Sequence, residues 1–102
     1  MKRYRVRVTP LAADNIRDAY RWYLKENPAY AAKWREGIQA VILGLRTLPE
    51  AHGMAPEARV LGREVRHVLF GGGTRWRIFF VIDRGTVRVL HVRHGRRDYW
   101  RP

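Results

Sequence analysis

A chain of 102 residues has room for one domain with a modest core and none for a second catalytic lobe. Apolar residues make up 46% of it, which argues against disorder, and Lys plus Arg outnumber Asp plus Glu by 21 to 9, a net charge of +12. That surplus calls for an anionic partner, whether RNA, DNA or an acidic protein; with no cysteine present, disulfides and thiolate chemistry are excluded.

Residues 3–8 alternate, Tyr4, Val6 and Val8 on one face and Arg3, Arg5 and Arg7 on the other, which predicts a half-buried strand with a basic outer side. Thr9-Pro10 is a helix cap followed by proline in the first turn. The helix should run to about Glu26, with Ile16, Ala19, Tyr20, Tyr23 and Leu24 as its apolar stripe. Asn27-Pro28 repeats the cap-plus-proline signal. The second helix should reach about Leu48, with Tyr30, Trp34, Ile38, Val41, Ile42 and Leu45 inward, before Pro49 stops it. Two helices with so short a break form an antiparallel hairpin.

Pro49, Gly53, Pro56 and Gly62 mark a surface loop. Strands are then predicted over 63–70, 74–82 and 86–92, separated by Gly71-Gly72-Gly73 and the tight turn Asp83-Arg84-Gly85. The middle one, with Trp76, Ile78, Phe79, Phe80 and Val81, is apolar on both sides and should be central. The fold class expected is α+β, order β-α-α-β-β-β, with the helical hairpin on one face of a small, mostly antiparallel sheet and the other face open. The opening Met1-Lys2-Arg3 has no apolar signal core behind it, and no apolar run approaches a membrane span. A soluble, cytoplasmic protein is expected.

Enzyme signatures are few. The glycine triplet joins two strands and lacks the helix that would cradle phosphate. His52, His67, His91 and His94 show no metal-ligand spacing, so neither metal nor other cofactor is expected. Thr9, Thr47, Thr74 and Thr86 each have a capping or strand explanation, and none stands out as a nucleophile. What remains is basic and aromatic. Arg77 lies in the central strand, Arg66 and His67 on the strand before it, and His94, Arg96, Arg97 and Tyr99 after the last. If the three strands form a meander, these groups meet on one sheet face and its edge. Such a set could cleave RNA without metal, a base taking the 2′-OH proton, an acid protonating the leaving 5′-oxygen and arginines holding the charge on phosphorus. Taken singly, each also has an ordinary structural role.

The chain resembles the RelE/ParE toxin superfamily over nearly its whole length, so that 1–102 reads as a single toxin domain. The likeness rests on the opening strand with Thr9-Pro10, Ala13 and Asp14, on Tyr20 and Tyr23, and on Pro49, Gly53, Arg59 and Leu61. Its most specific parts are Arg75-Trp76-Arg77-Ile78-Phe79-Phe80 and the ending Val89-Leu90-His91-Val92-Arg93-His94-Gly95-Arg96-Arg97-Asp98. The resemblance implies the toxin of a type II toxin–antitoxin module, silenced by a cognate acidic antitoxin. RelE-like members cleave mRNA on the ribosome; ParE-like members share the fold and poison DNA gyrase. Carried over from RelE-like members, Arg77 binds phosphate, Arg96 or Arg97 clamps the transition state, and Tyr99 or His94 moves the proton. Arg66, His67, Arg75 and Arg93 would hold nucleic acid. Where RelE-like members have two lysines on one face, this chain has Glu64, Arg66 and Val68 on one face and Val65 and His67 on the other. The expected activity is ribosome-dependent mRNA cleavage. The alternatives are non-enzymatic gyrase inhibition and a non-toxic nucleic-acid-binding module.

Overall fold

The computed structural model describes residues 2–71 and 76–94. Strand β1 (Arg5–Val8) leads into helices α1 (Pro10–Glu26) and α2 (Pro28–Gly44). A 3-10 turn (Pro49–Ala51) and the short helix α3 (Ala58–Leu61) follow, then β2 (Arg66–Phe70), β3 (Trp76–Asp83) and β4 (Thr86–His94). The strands lie in the order β1-β4-β3-β2. β2, β3 and β4 make an antiparallel meander, and β1 joins β4 in parallel. The α+β class and the β-α-α-β-β-β order read from the sequence are those found, with the hairpin on one sheet face.

Local chemistry explains the boundaries. The Thr9 hydroxyl accepts from the Ala12 N–H, capping α1, and donates to the Val89 carbonyl at 2.8 Å, so one side chain starts the helix and ties it to the sheet. The Asn15 amide oxygen accepts from the Val92 N–H at 3.1 Å, a second tie between α1 and β4. Arg84 and Gly85 both have positive φ, the backbone of a two-residue hairpin turn. α2 ends at Gly44, short of the expected Leu48, because Leu48 takes a left-handed conformation ahead of Pro49.

The helix-side core is built on Trp34, Ile38, Leu45, Ile78, Phe80, Val87 and Val89, all at most 1% exposed. Tyr23, Trp34 and Trp76 pack as an aromatic group, with Trp76 Nε1 donating to the Tyr23 hydroxyl at 3.2 Å. Gly37 sits on α2 where a Cβ would meet the Phe70 ring at 2.2 Å, so the close approach of α2 to β2 needs glycine there. Ile16, Tyr20 and Val41 pack against this core from its margin, while Tyr30, expected inward, is 36% exposed.

The opposite sheet face is not open, contrary to the sequence expectation. Residues 52–65, read as a plain surface loop, cross it and contribute Ala55, Val65, Ala58 and Leu61 to a second apolar cluster with Phe79, Val81 and Leu90. Phe79 and Val81 alternate with Ile78 and Phe80, and a strand apolar on both faces needs cover on both. The same segment caps the free edge of β2: Met54 bridges Arg66, and the His67 N–H donates to the Gly53 carbonyl.

Ile38 is fully buried; Ile38→Ala should cost about 2–5 kcal/mol, measured as a lower denaturant midpoint at unchanged slope.

Candidate functional site

The covered face of the sheet carries most of the residues singled out in the sequence. Along β3, alternation with Ile78 and Trp76 sends Arg77 to this outer face. Arg77 is 6% exposed, and its guanidinium grips the Glu57 carboxylate with both ends, Nη1–Oε2 and Nη2–Oε1 each at 2.6 Å. Glu57 is itself wholly buried, at the start of α3. The bidentate geometry is the strongest form of this contact. His67, opposite Phe79 on β2, completes the group: its Nδ1 accepts from Arg77 Nε at 3.2 Å, with Nη2 at 3.0 Å. The guanidinium also stacks 4.5 Å over the Phe79 ring.

Burial pushes the His67 pKa below the ordinary imidazole value, with the Arg77 charge acting the same way and Glu57 opposing it. A neutral imidazole is what the contact needs, since a protonated Nδ1 has no lone pair to accept with. His91 is also held low, by burial first and Arg93 second.

The other expected site residues are scattered. Arg93 sits directly across from Arg77 on β4, on the same face. Arg66 points away and donates to the carbonyls of Glu50 and His52, holding the 3-10 turn. His94 pairs with Trp76 and its ring meets the Trp76 edge at 5.5 Å, which puts it on the helix side of the sheet. Arg77 and His94 therefore lie on opposite faces. Arg75, Arg96, Arg97 and Tyr99 fall outside the described residues. Among the described residues no group of histidines and acids has the arrangement to hold a metal ion.

Two features escaped the sequence reading. Glu57 looked like an ordinary loop acid; its signal was being a lone acid in a stretch also rich in Ala, Pro and Gly, opposite an arginine in an otherwise apolar strand. The second is the outer side of β1, where Arg7 lies directly across from Arg88 in the parallel register. Like charges so placed repel, and no ion pair among the described residues answers Arg5, Arg7 or Arg88.

A helical hairpin on a four-stranded sheet, with β1 parallel to β4 and a basic outer edge, defines a RelE/ParE-type toxin fold. The chain belongs to the family described as ParE toxin of type II toxin–antitoxin system, parDE, whose model matches residues 6–99. A solved structure titled "Chromosomal ParDE TA system from P. aeruginosa" is similar at a TM-score of 0.73 and 18% identity, over 89% of this chain and 95% of that one; it shows a common fold. No curated protein matches the sequence. No helix among the described residues is long and apolar enough to cross a membrane.

Two outcomes are expected. Glu57→Gln strands a buried guanidinium without its counter-charge and should cost about 3–5 kcal/mol by urea denaturation, whereas Glu57→Leu with Arg77→Met should recover most of that loss. Because the folded-state pKa of His67 is lowered, the unfolded chain binds more protons below the ordinary imidazole value, so stability is complete above it and falls as pH drops through it. Denaturation midpoints from pH 7.5 to about 5 should decline, and His67→Gln should flatten that slope.

Proposed function

We propose that this toxin, when not held by its cognate antitoxin, arrests growth by inhibiting DNA gyrase and does not cut RNA. The observation that carries this reading is the state of Arg77. A metal-free ribonuclease needs an arginine open to the scissile phosphate and a proton-transfer group on the same side. Here the central-strand arginine is occupied by a buried carboxylate, and His94 is across the sheet from it. Replacing Glu57 by phosphate would leave a carboxylate buried without its partner, at a cost of several kcal/mol. Membership of the ParE family supports the same target, since ParE-like members are the gyrase-directed branch of the resemblance. Ribosome-dependent cleavage would have to rest on Arg96, Arg97 and Tyr99 in place of Arg77.

The test is brief induction of the gene without its antitoxin, followed by parallel assays of mRNA integrity, chromosomal double-strand breaks and supercoiling by purified gyrase. Growth arrest with broken DNA, loss of supercoiling and intact mRNA is expected. Rapid mRNA cleavage with normal supercoiling would overturn the gyrase reading, and normal growth at confirmed expression would point to a non-toxic nucleic-acid-binding module. Arg96→Glu with Arg97→Glu should abolish the arrest without lowering the melting temperature, because both positions lie beyond the last core strand.

A further inference from the structure

The sheet has two edges, and they are treated differently. The edge at β2 is capped by residues 53–55. The edge at β1 is closed only at its start, where the Tyr4 N–H donates to the Arg46 carbonyl and Arg3 bridges Thr47. Beyond that, the N–H groups of Arg5 and Thr9 point to β4, to the carbonyls of Gly85 and Val89. In this parallel register the odd-numbered residues bond to β4, and Val6 and Val8 turn their main-chain N–H and C=O outward. Among the described residues nothing pairs with them. An uncovered edge of this kind is a template for another strand.

The surroundings of the edge define what would fit. On its helix side lies a groove of about 860 Å³ between β1 and the α1–α2 hairpin, with Val6, Ile16, Ile42 and Leu43 among its apolar walls. Leu43 is 55% exposed there and Val8 41%. Arginines line the same groove, Arg35 and Arg46 from α2 and the turn after it, and no acidic residue lines it. On the outer side of the same strand stand Arg5, Arg7 and Arg88, exposed and without ion pairs among the described residues. Side chains of an added strand would alternate between these two environments.

We infer that the β1 edge is the docking site for an extended, acidic segment of a partner chain, which adds as a fifth strand with apolar residues directed into the hairpin groove and carboxylates directed at Arg5, Arg7 and Arg88. The toxin–antitoxin reading makes the antitoxin the source of that segment, and the inference rests on it to that extent. A second copy of this chain is disfavoured, because its own β1 would set Arg5 and Arg7 against the same arginines. A polynucleotide is disfavoured because it offers no main-chain ladder to Val6 and Val8 and would set phosphates against an apolar groove.

The test uses the full chain and two synthetic ten-residue peptides of equal composition, one alternating Glu with Val and Leu, the other with its glutamates gathered at one end. Titration is followed by amide exchange in NMR. The alternating peptide should bind, slow exchange at the Val6 and Val8 amides by at least about tenfold, and outbind the blocked peptide by a similar factor. Arg7→Glu with Arg88→Glu should weaken binding by about tenfold or more at an unchanged melting temperature; should that variant fail to fold, Leu43→Asp, which alters only the groove side, replaces it. Absence of binding, equal binding of both peptides, or binding without protection of Val6 and Val8 would overturn the inference. A short single-stranded RNA that protects the same two amides more strongly than the peptide would overturn it as well. If the edge fails this test while a co-expressed antitoxin still relieves growth arrest, the toxin–antitoxin reading stands and only the docking site is wrong.

Discussion

The buried pair Glu57–Arg77 is the constraint around which the rest of this small fold is arranged. One helical hairpin covers one face of a four-stranded sheet. The other face, with Phe79 and Val81 at its centre, has only residues 52–65 to cover it. A segment that short contributes little apolar area of its own, here Ala55, Val65, Ala58 and Leu61, and roughly 1.5–3 kcal/mol for each larger side chain does not by itself fix its position. The bidentate ion pair does, because either charge left alone in that interior is far costlier than the pair. It sets where α3 sits, keeps water off Phe79 and Val81, and brings residues 53–55 alongside β2 to cap that edge.

The same pair bears on chemistry. A strand arginine that reads from sequence as a phosphate binder is, in three dimensions, half of a structural clamp. His67, which the same reading placed at a nucleic-acid surface, serves as the acceptor that completes the guanidinium's hydrogen bonding. Basic residues inside a β-meander thus divide into two populations. Those facing the covered side are used up in holding the fold. Those on β1 and the β4 residues beside it remain without counter-charges among the described residues and supply the anion-seeking surface that the net charge implied.

What the sequence disclosed followed from periodicity and punctuation. Alternation over residues 3–8, cap-plus-proline at Thr9-Pro10 and Asn27-Pro28, and the turn at Arg84-Gly85 each have a local physical cause and each appears where expected. The helix-side core was legible for the same reason: Trp34, Ile38, Ile78 and Phe80 repeat at the spacing of their elements. Long-range pairing was not legible. Nothing local marks Glu57 as the partner of a residue twenty positions on, so the loop was taken as bare and the sheet face as open. The convergence of Arg77 with His94 failed for a simpler reason. Their separation along β3 and β4 places them one register step apart, and in a sheet one step changes the face.

That parity argument extends to how such a protein meets its partners. Every position on β1 and β4 belongs either to the hairpin side or to the outer side, and the two sides differ sharply in chemistry, apolar against arginine-rich. Any chain that pairs with the open edge is read two residues at a time, on both sides at once. Affinity from main-chain bonds is then indifferent to sequence, while the alternation of apolar and acidic residues supplies selectivity. A shift of one residue would direct carboxylates into the apolar groove and apolar side chains at Arg7 and Arg88, so the register is enforced by two penalties and not one. The short length of β1, four residues, limits the main-chain contribution. The charges flanking it therefore carry a large share of both attraction and discrimination, and binding at this edge is salt-dependent for the same physical reason that it is selective.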